Sequence, residues 1–153
     1  MEIQRLNKRP TIEQNIKLNR KFLQLEKLIN ELNKQNLSEK ITSTINSSIE
    51  GVNSINNLEK ELSKQIKKSQ SGILKLIEKE LKLVTKHHYR NTGLAVGLAM
   101  GVALGSVIGS NSENMTMLGI GMPIGMAIGI AIGTTMDKKA KDGGKQLDLE
   151  IKG

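Results

Sequence analysis

Apolar positions in the first ninety residues recur at alternating steps of four and three. Leu18, Phe22, Leu25, Ile29 and Leu32 form one such seam. That spacing keeps apolar side chains on one stripe of a helix, so it predicts a long amphipathic helix. Pro10 and Thr11 mark a helix start, because proline fits the first turn. "NKQNLSEK", residues 33–40, interrupts the seam, and Ser38 is placed to cap a second helix. A second seam steps from Ile41 through Ile45, Ser48, Val52, Ile55, Glu59, Leu62, Ile66, Ser69, Ile73, Leu76 and Glu80 to Leu83. Nine of its thirteen positions are apolar, against about five for random placement, so the stripe is real but imperfect. "SQSG" at 69–72 predicts a kink or joint. The two seams either fold on each other as an antiparallel hairpin turning near residues 34–39, or pair with other copies of the chain.

From residue 93 the period changes to a strict four. "GLAVGLAMGVALGSVIG" places Gly93, Gly97, Gly101, Gly105 and Gly109 on one register. "GMPIGMAIGIAIG" repeats it with Gly121, Gly125, Gly129 and Gly133. Residues four apart share a helix face, and glycine there lets another backbone approach closely. Ala95, Ala99 and Ala103 repeat on the same period about 200° away, as do Ala127 and Ala131 with Pro123 in the matching slot. Each helix thus carries two shallow grooves on opposite sides. One closes the hairpin; the other is free for a neighbouring copy.

The runs Gly93–Gly109 and Met117–Gly133 hold 17 residues each and no charge. Each spans about 25 Å as a helix, and flanking Thr92, Ser110 and Thr134 bring it near a hydrocarbon core of about 30 Å. The linker "SNSENMT" has a single charged group, Glu113. The pattern predicts a transmembrane helical hairpin. Two other readings stand beside it. As strands, the runs would have one all-Gly/Ala face and stack like silk, although they are long for strands and glycine and alanine are depleted there. Alternatively the hairpin is soluble or lies on a membrane surface, since glycine dilutes its hydrophobicity.

The expected organisation is all-α: a cytoplasmic helical, partly coiled-coil region over residues 1–90, a membrane hairpin over 91–135 with helices at about 92–110 and 116–134, and a polar basic tail over 136–153. Thirteen of the fifteen glycines lie beyond residue 92, which sets the two halves apart.

The net charge of +8 resides in residues 1–90, with 18 Lys+Arg against 10 Asp+Glu. A basic face meets anionic lipid, nucleic acid or an acidic protein, or is simply a solvated surface. Basic segments flank both apolar runs, so the positive-inside rule places both termini in the cytoplasm. His87, His88, Tyr89 and Arg90 read as an interfacial collar. "MEIQRLNKRP" has no apolar h-region, so no secretory signal is expected. The abundance of Lys, Asn and Ile points to an AT-rich bacterial genome.

The GxxxG repeats of residues 93–133 resemble those of glycine-zipper membrane proteins. The resemblance implies close helix packing and homo-oligomers, some of which form channels or toxin pores.

No chemistry of an enzyme is legible. The absence of cysteine excludes thiolate metal sites and thiol nucleophiles. Adjacent His87 and His88 diverge by about 100° on a helix and do not share a metal easily. HExxH, P-loop and nucleophile-elbow motifs are absent. No cofactor or metal is expected. The expected partners are a lipid bilayer, further copies of the chain and a protein partner on residues 11–86. Nucleic acid is disfavoured, because interleaved aromatics and a dense arginine patch are missing. Two functions follow: a permeabilising pore of a bacterial inner membrane, as in a toxin or defence effector, or a non-conducting, membrane-anchored scaffold. Pro123 is a candidate hinge in the first, or marks only a first turn.

Overall fold

A computed structural model describes residues 2–56, 59–111 and 116–151. Six helices follow in order: α1 Pro10–Gln14, α2 Ile16–Asn33, α3 Glu39–Asn53, α4 Glu59–Leu81, α5 His88–Asn111 and α6 Thr116–Asp142. The chain forms two compact units. One runs to Leu83 and takes up the chain again from Leu147; the other is Val84–Gln146.

In the first unit the seams bury each other within one chain. Leu25, Leu28 and Leu32 of α2, Ile45 and Ile49 of α3 and Ile66, Ile73 and Ile77 of α4 are all buried. Each such side chain contributes about 1.5–3 kcal/mol when fully buried. The turn between α2 and α3 falls at residues 34–38, where the sequence places it. The second seam is not one helix, however. The chain breaks after Asn53, and α4 turns back along α3. Ser69, at a polar step of the seam, is buried and donates to the Ser48 carbonyl at 2.9 Å. Gln65 lies against Gly51, and these two pairings run antiparallel. Asn15 donates to Glu59 at 2.8 Å and Lys21 to Ser63 at 2.7 Å, so α2 and α4 run parallel.

The joint expected at 69–72 does not form. A side chain added at Gly72 would meet nothing, so this glycine faces open space and α4 passes straight through it. Its cost is one of helix propensity alone, about 1 kcal/mol. Ser38 precedes α3, but its side chain makes no capping bond; its carbonyl instead accepts from the Thr42 amide and hydroxyl. Asn15 supplies the side-chain cap of α2, accepting from the amides of Lys17 and Leu18 at 3.1 Å.

Residues 2–9 are tied down. Asn46 accepts from the Gln4 amide at 2.8 Å and donates to the Glu2 carbonyl. Asn53 repeats the arrangement with the Asn7 amide at 2.9 Å and the Arg5 carbonyl. Seven helical residues rise about 10.5 Å and three extended residues about 10 Å, so two asparagines seven apart match backbone groups three apart. Ile3 and Leu6, three apart themselves, enter the core. Arg9 then donates to the Val52, Asn53 and Ile55 carbonyls at the end of α3, where helix carbonyls lack partners.

The polar tail is also divided differently. α6 continues to Asp142, and Leu147 and Leu149 join the core of the first unit with Ile151 packed against it. Their alternation is the period of an extended segment with one buried face.

Replacing Asn53 by Ala removes both of its bonds to the N-terminal segment. The cost should be about 1–2 kcal/mol, read as a lower melting temperature with faster hydrogen exchange at Asn7 and unchanged exchange in α6.

Candidate functional site

The second unit is an antiparallel pair of apolar helices. α5 has 24 residues and α6 has 27, about 36 and 40 Å, enough to cross a hydrocarbon core of about 30 Å. Both exceed the ranges 92–110 and 116–134 expected from the apolar runs, since polar ends extend the helices. Residues 93–108 are helical throughout, which removes the silk-like strand reading.

Glycine faces glycine along the seam. A Cβ placed on Gly93 would overlap the Gly129 carbonyl, one on Gly97 that of Gly125, and one on Gly101 that of Gly121. The reverse substitutions collide in the same way, and the Gly105 Cα lies 3.1 Å from a Cβ placed on Gly121. Gly133 meets the backbone of Tyr89 and Arg90. The surroundings of Gly109, and Glu113 with its loop, lie outside the described residues.

Large side chains point outward instead. Val96, Met100, Leu104, Ile124, Ile128 and Ile132 are between 48% and 64% exposed. Only 17% and 11% of the apolar stretches of α5 and α6 are buried, where a core helix of a soluble protein would be mostly buried. On one side of the seam these chains wall an apolar groove of about 460 Å³ floored by the glycines. Ala95, Ala99, Ala103, Ala127 and Ala131 are exposed away from the seam. Pro123 lies within α6 on an exposed face, and the helix continues past it. Ser106 and Thr134 donate to carbonyls four residues back at 2.7 Å, and Thr135 does so at 3.0 Å. Such bonds satisfy hydroxyls where water is absent.

The basic end of the hairpin holds a residue that composition did not single out. Asp137 is buried, and its two carboxylate oxygens accept from the Tyr89 and Arg90 amides, both at 3.0 Å. Those amides open α5 and have no partners within their helix. α6 therefore caps α5 across the hairpin, with a negative charge on the positive end of the helix dipole. A signal was present: Asp137 continues the four-residue register of Gly121 to Gly133. Sequence reading takes it for a flanking charge because its partners lie 47 and 48 residues away.

His87, His88, Tyr89 and Arg90 are all half-buried at this end. His87 precedes α5 with φ of 60°, so the two imidazoles do not follow one helical path. The His88 and Tyr89 rings meet edge to face at 5.1 Å. Beyond α6, the Lys145 carbonyl accepts from the Val84 amide at 2.9 Å, and Gln146 donates to the Asp137 carbonyl.

Gly125→Ala should cost the hairpin about 1–3 kcal/mol through overpacking. Gly119→Ala adds a methyl that meets nothing and should stabilise α6 by up to about 1 kcal/mol. Circular-dichroism melts in detergent compare the two. Asp137→Ala leaves two half-buried amides unpaired and should cost about 1–3 kcal/mol, with exchange accelerated first at Tyr89 and Arg90.

No curated protein and no solved structure matches the chain. Residues 87–139, which run from just before α5 through the whole glycine seam to beyond Asp137, match the family model described as glycine zipper membrane protein, so the hairpin, about a third of the chain, is similar to that family.

Proposed function

We propose that copies of this membrane protein assemble side by side through their alanine faces into an oligomer that permeabilises the bilayer. The observation that carries the reading is the outward surface of the hairpin: Gly93, Gly97, Gly101, Gly121, Gly125 and Gly129 are taken up in closing α5 on α6, while Ala95, Ala99, Ala103, Ala127 and Ala131 stay exposed away from that seam. Small residues permit close approach of a neighbouring helix in lipid, where van der Waals packing drives association. On this reading the conducting path lies between hairpins, because the seam within each one is shut by backbone contact.

Lys86 and Arg90 precede the first apolar run and Lys138, Lys139 and Lys141 follow the second, against one acid in the linker. This asymmetry supports an orientation with both termini on the cytoplasmic side of a bacterial inner membrane.

A second reading is a watertight, membrane-anchored scaffold whose helical unit recruits a protein partner. The hydroxyls of Ser106, Thr134 and Thr135 fit it, since each is already satisfied by a carbonyl of its own helix.

Dye leakage from reconstituted liposomes separates the two. Ala99→Leu with Ala127→Leu blocks the outer face and spares the glycine seam. Leakage by the wild type, reduced more than about tenfold in this variant as association is lost, supports the permeabilising oligomer. Tight liposomes with the wild type inserted overturn it in favour of the scaffold.

A further inference from the structure

We infer that the helical unit contains a phosphate-binding site in the groove between α2 and α4. The site lies wholly within that unit and does not depend on how the hairpin assembles.

Parallel packing of α2 and α4 brings Lys17, Arg20 and Lys21 from one wall opposite Lys67 from the other, around a groove of about 430 Å³. Among the described residues no acidic side chain lines it. Among the described residues the side chains of Lys17, Arg20 and Lys67 carry no ion pair, and Lys21 donates to the Ser63 hydroxyl. Three cations within about one and a half turns of α2 and one on α4 repel one another, an arrangement that an anion relieves.

A second observation is independent of charge. Gln70 lines the same groove and is only 7% exposed, and its amide nitrogen is buried without a hydrogen-bond acceptor. Buried donors are almost always paired, so an orphan beside a cationic groove marks a missing acceptor. Water would satisfy the amide but would leave the four charges uncompensated.

Phosphate fits both demands. Its several oxygens accept from the Gln70 amide, an ammonium and a guanidinium at once, and its charge suits a multiply cationic site. A single carboxylate offers fewer acceptors and one charge. Leu74 and Ile151 form an apolar border to the groove, against which the apolar body of a phosphate-bearing molecule would rest. The shared chemistry is a phosphate group, carried either by an anionic lipid headgroup or by a free phosphate species.

The test uses the full chain in maltoside detergent, which contains no phosphate, with chloride holding ionic strength constant. Inorganic phosphate and pyrophosphate are titrated calorimetrically. In parallel, hydrogen exchange over α2 and α4 is followed as phosphatidylglycerol is mixed into the micelles. Saturable binding of the inorganic anions supports a free phosphate ligand; protection by phosphatidylglycerol alone supports a lipid headgroup. Lys67→Ala, at an exposed position, should weaken either response roughly tenfold, the loss of one charge-assisted bond. Gln70→Leu should raise the melting temperature without ligand, because the orphan donor is gone, and should abolish the gain on adding phosphate. The proposal is overturned if neither phosphate nor phosphatidylglycerol acts saturably, or if both variants respond as the wild type does. Binding of a glutamate-rich peptide where phosphate fails would also overturn it, by assigning the groove to a carboxylate-bearing protein.

Discussion

Backbone-to-backbone contact at the glycines sets the geometry of the hairpin. In lipid, an aliphatic side chain gains little by leaving its surroundings, so helices associate through close packing rather than through burial of bulk. Removing the Cβ at Gly93, Gly97 and Gly101, and at their partners Gly129, Gly125 and Gly121, lets carbonyls of one helix rest where side chains of the other would project. Such an approach also permits weak Cα–H···O contacts. Because the period is four on both helices, one register satisfies every step. That register carries Gly133 to Tyr89, and one step further delivers Asp137 to the two amides that open α5. A packing seam in the apolar region thus ends in a polar lock at its basic end, and a slip of either helix would lose both together.

The two units of the chain answer to different solvents. The helical unit buries leucine and isoleucine and exposes lysine, as a water-soluble bundle must. The hairpin inverts this, with glycine inside and isoleucine, valine and methionine outside. In the helical unit Ser69, Asn46 and Asn53 reach across to other segments. In the hairpin Ser106, Thr134 and Thr135 close onto their own helix. The bond to a carbonyl four residues back is common to both units, since Thr42, Thr44 and Ser48 also make it in the helical unit.

The same contrast separates what each unit has to offer a partner. The hairpin presents apolar surface with exposed alanines, suited to lipid. The helical unit presents charge, and its α2–α4 groove combines uncompensated cations with an unpaired buried amide. The two surfaces therefore differ in chemistry, one apolar and the other cationic.

What the chain declares locally, it declares by period. The glycine register, the α2 seam and the turn at 34–38 were legible, because each depends on residues within one or two helical turns; the helix that starts at Pro10 ends at Gln14, and the seam helix begins anew at Ile16 behind the Asn15 cap. The break after Asn53 was misplaced to Gly72, since a glycine ends a helix only where its conformation or surroundings require it, and Gly72 faces open space. The roles of Asn46, Asn53, Asp137 and Gln70, and the burial of Leu147 and Leu149, were decided by tertiary structure alone. Each depends on a partner brought near by the fold: a backbone amide 42 to 48 residues away, or a core assembled from three helices. A single sequence shows a polar side chain's capacity to bond, and only the packed chain supplies or withholds the group it bonds to.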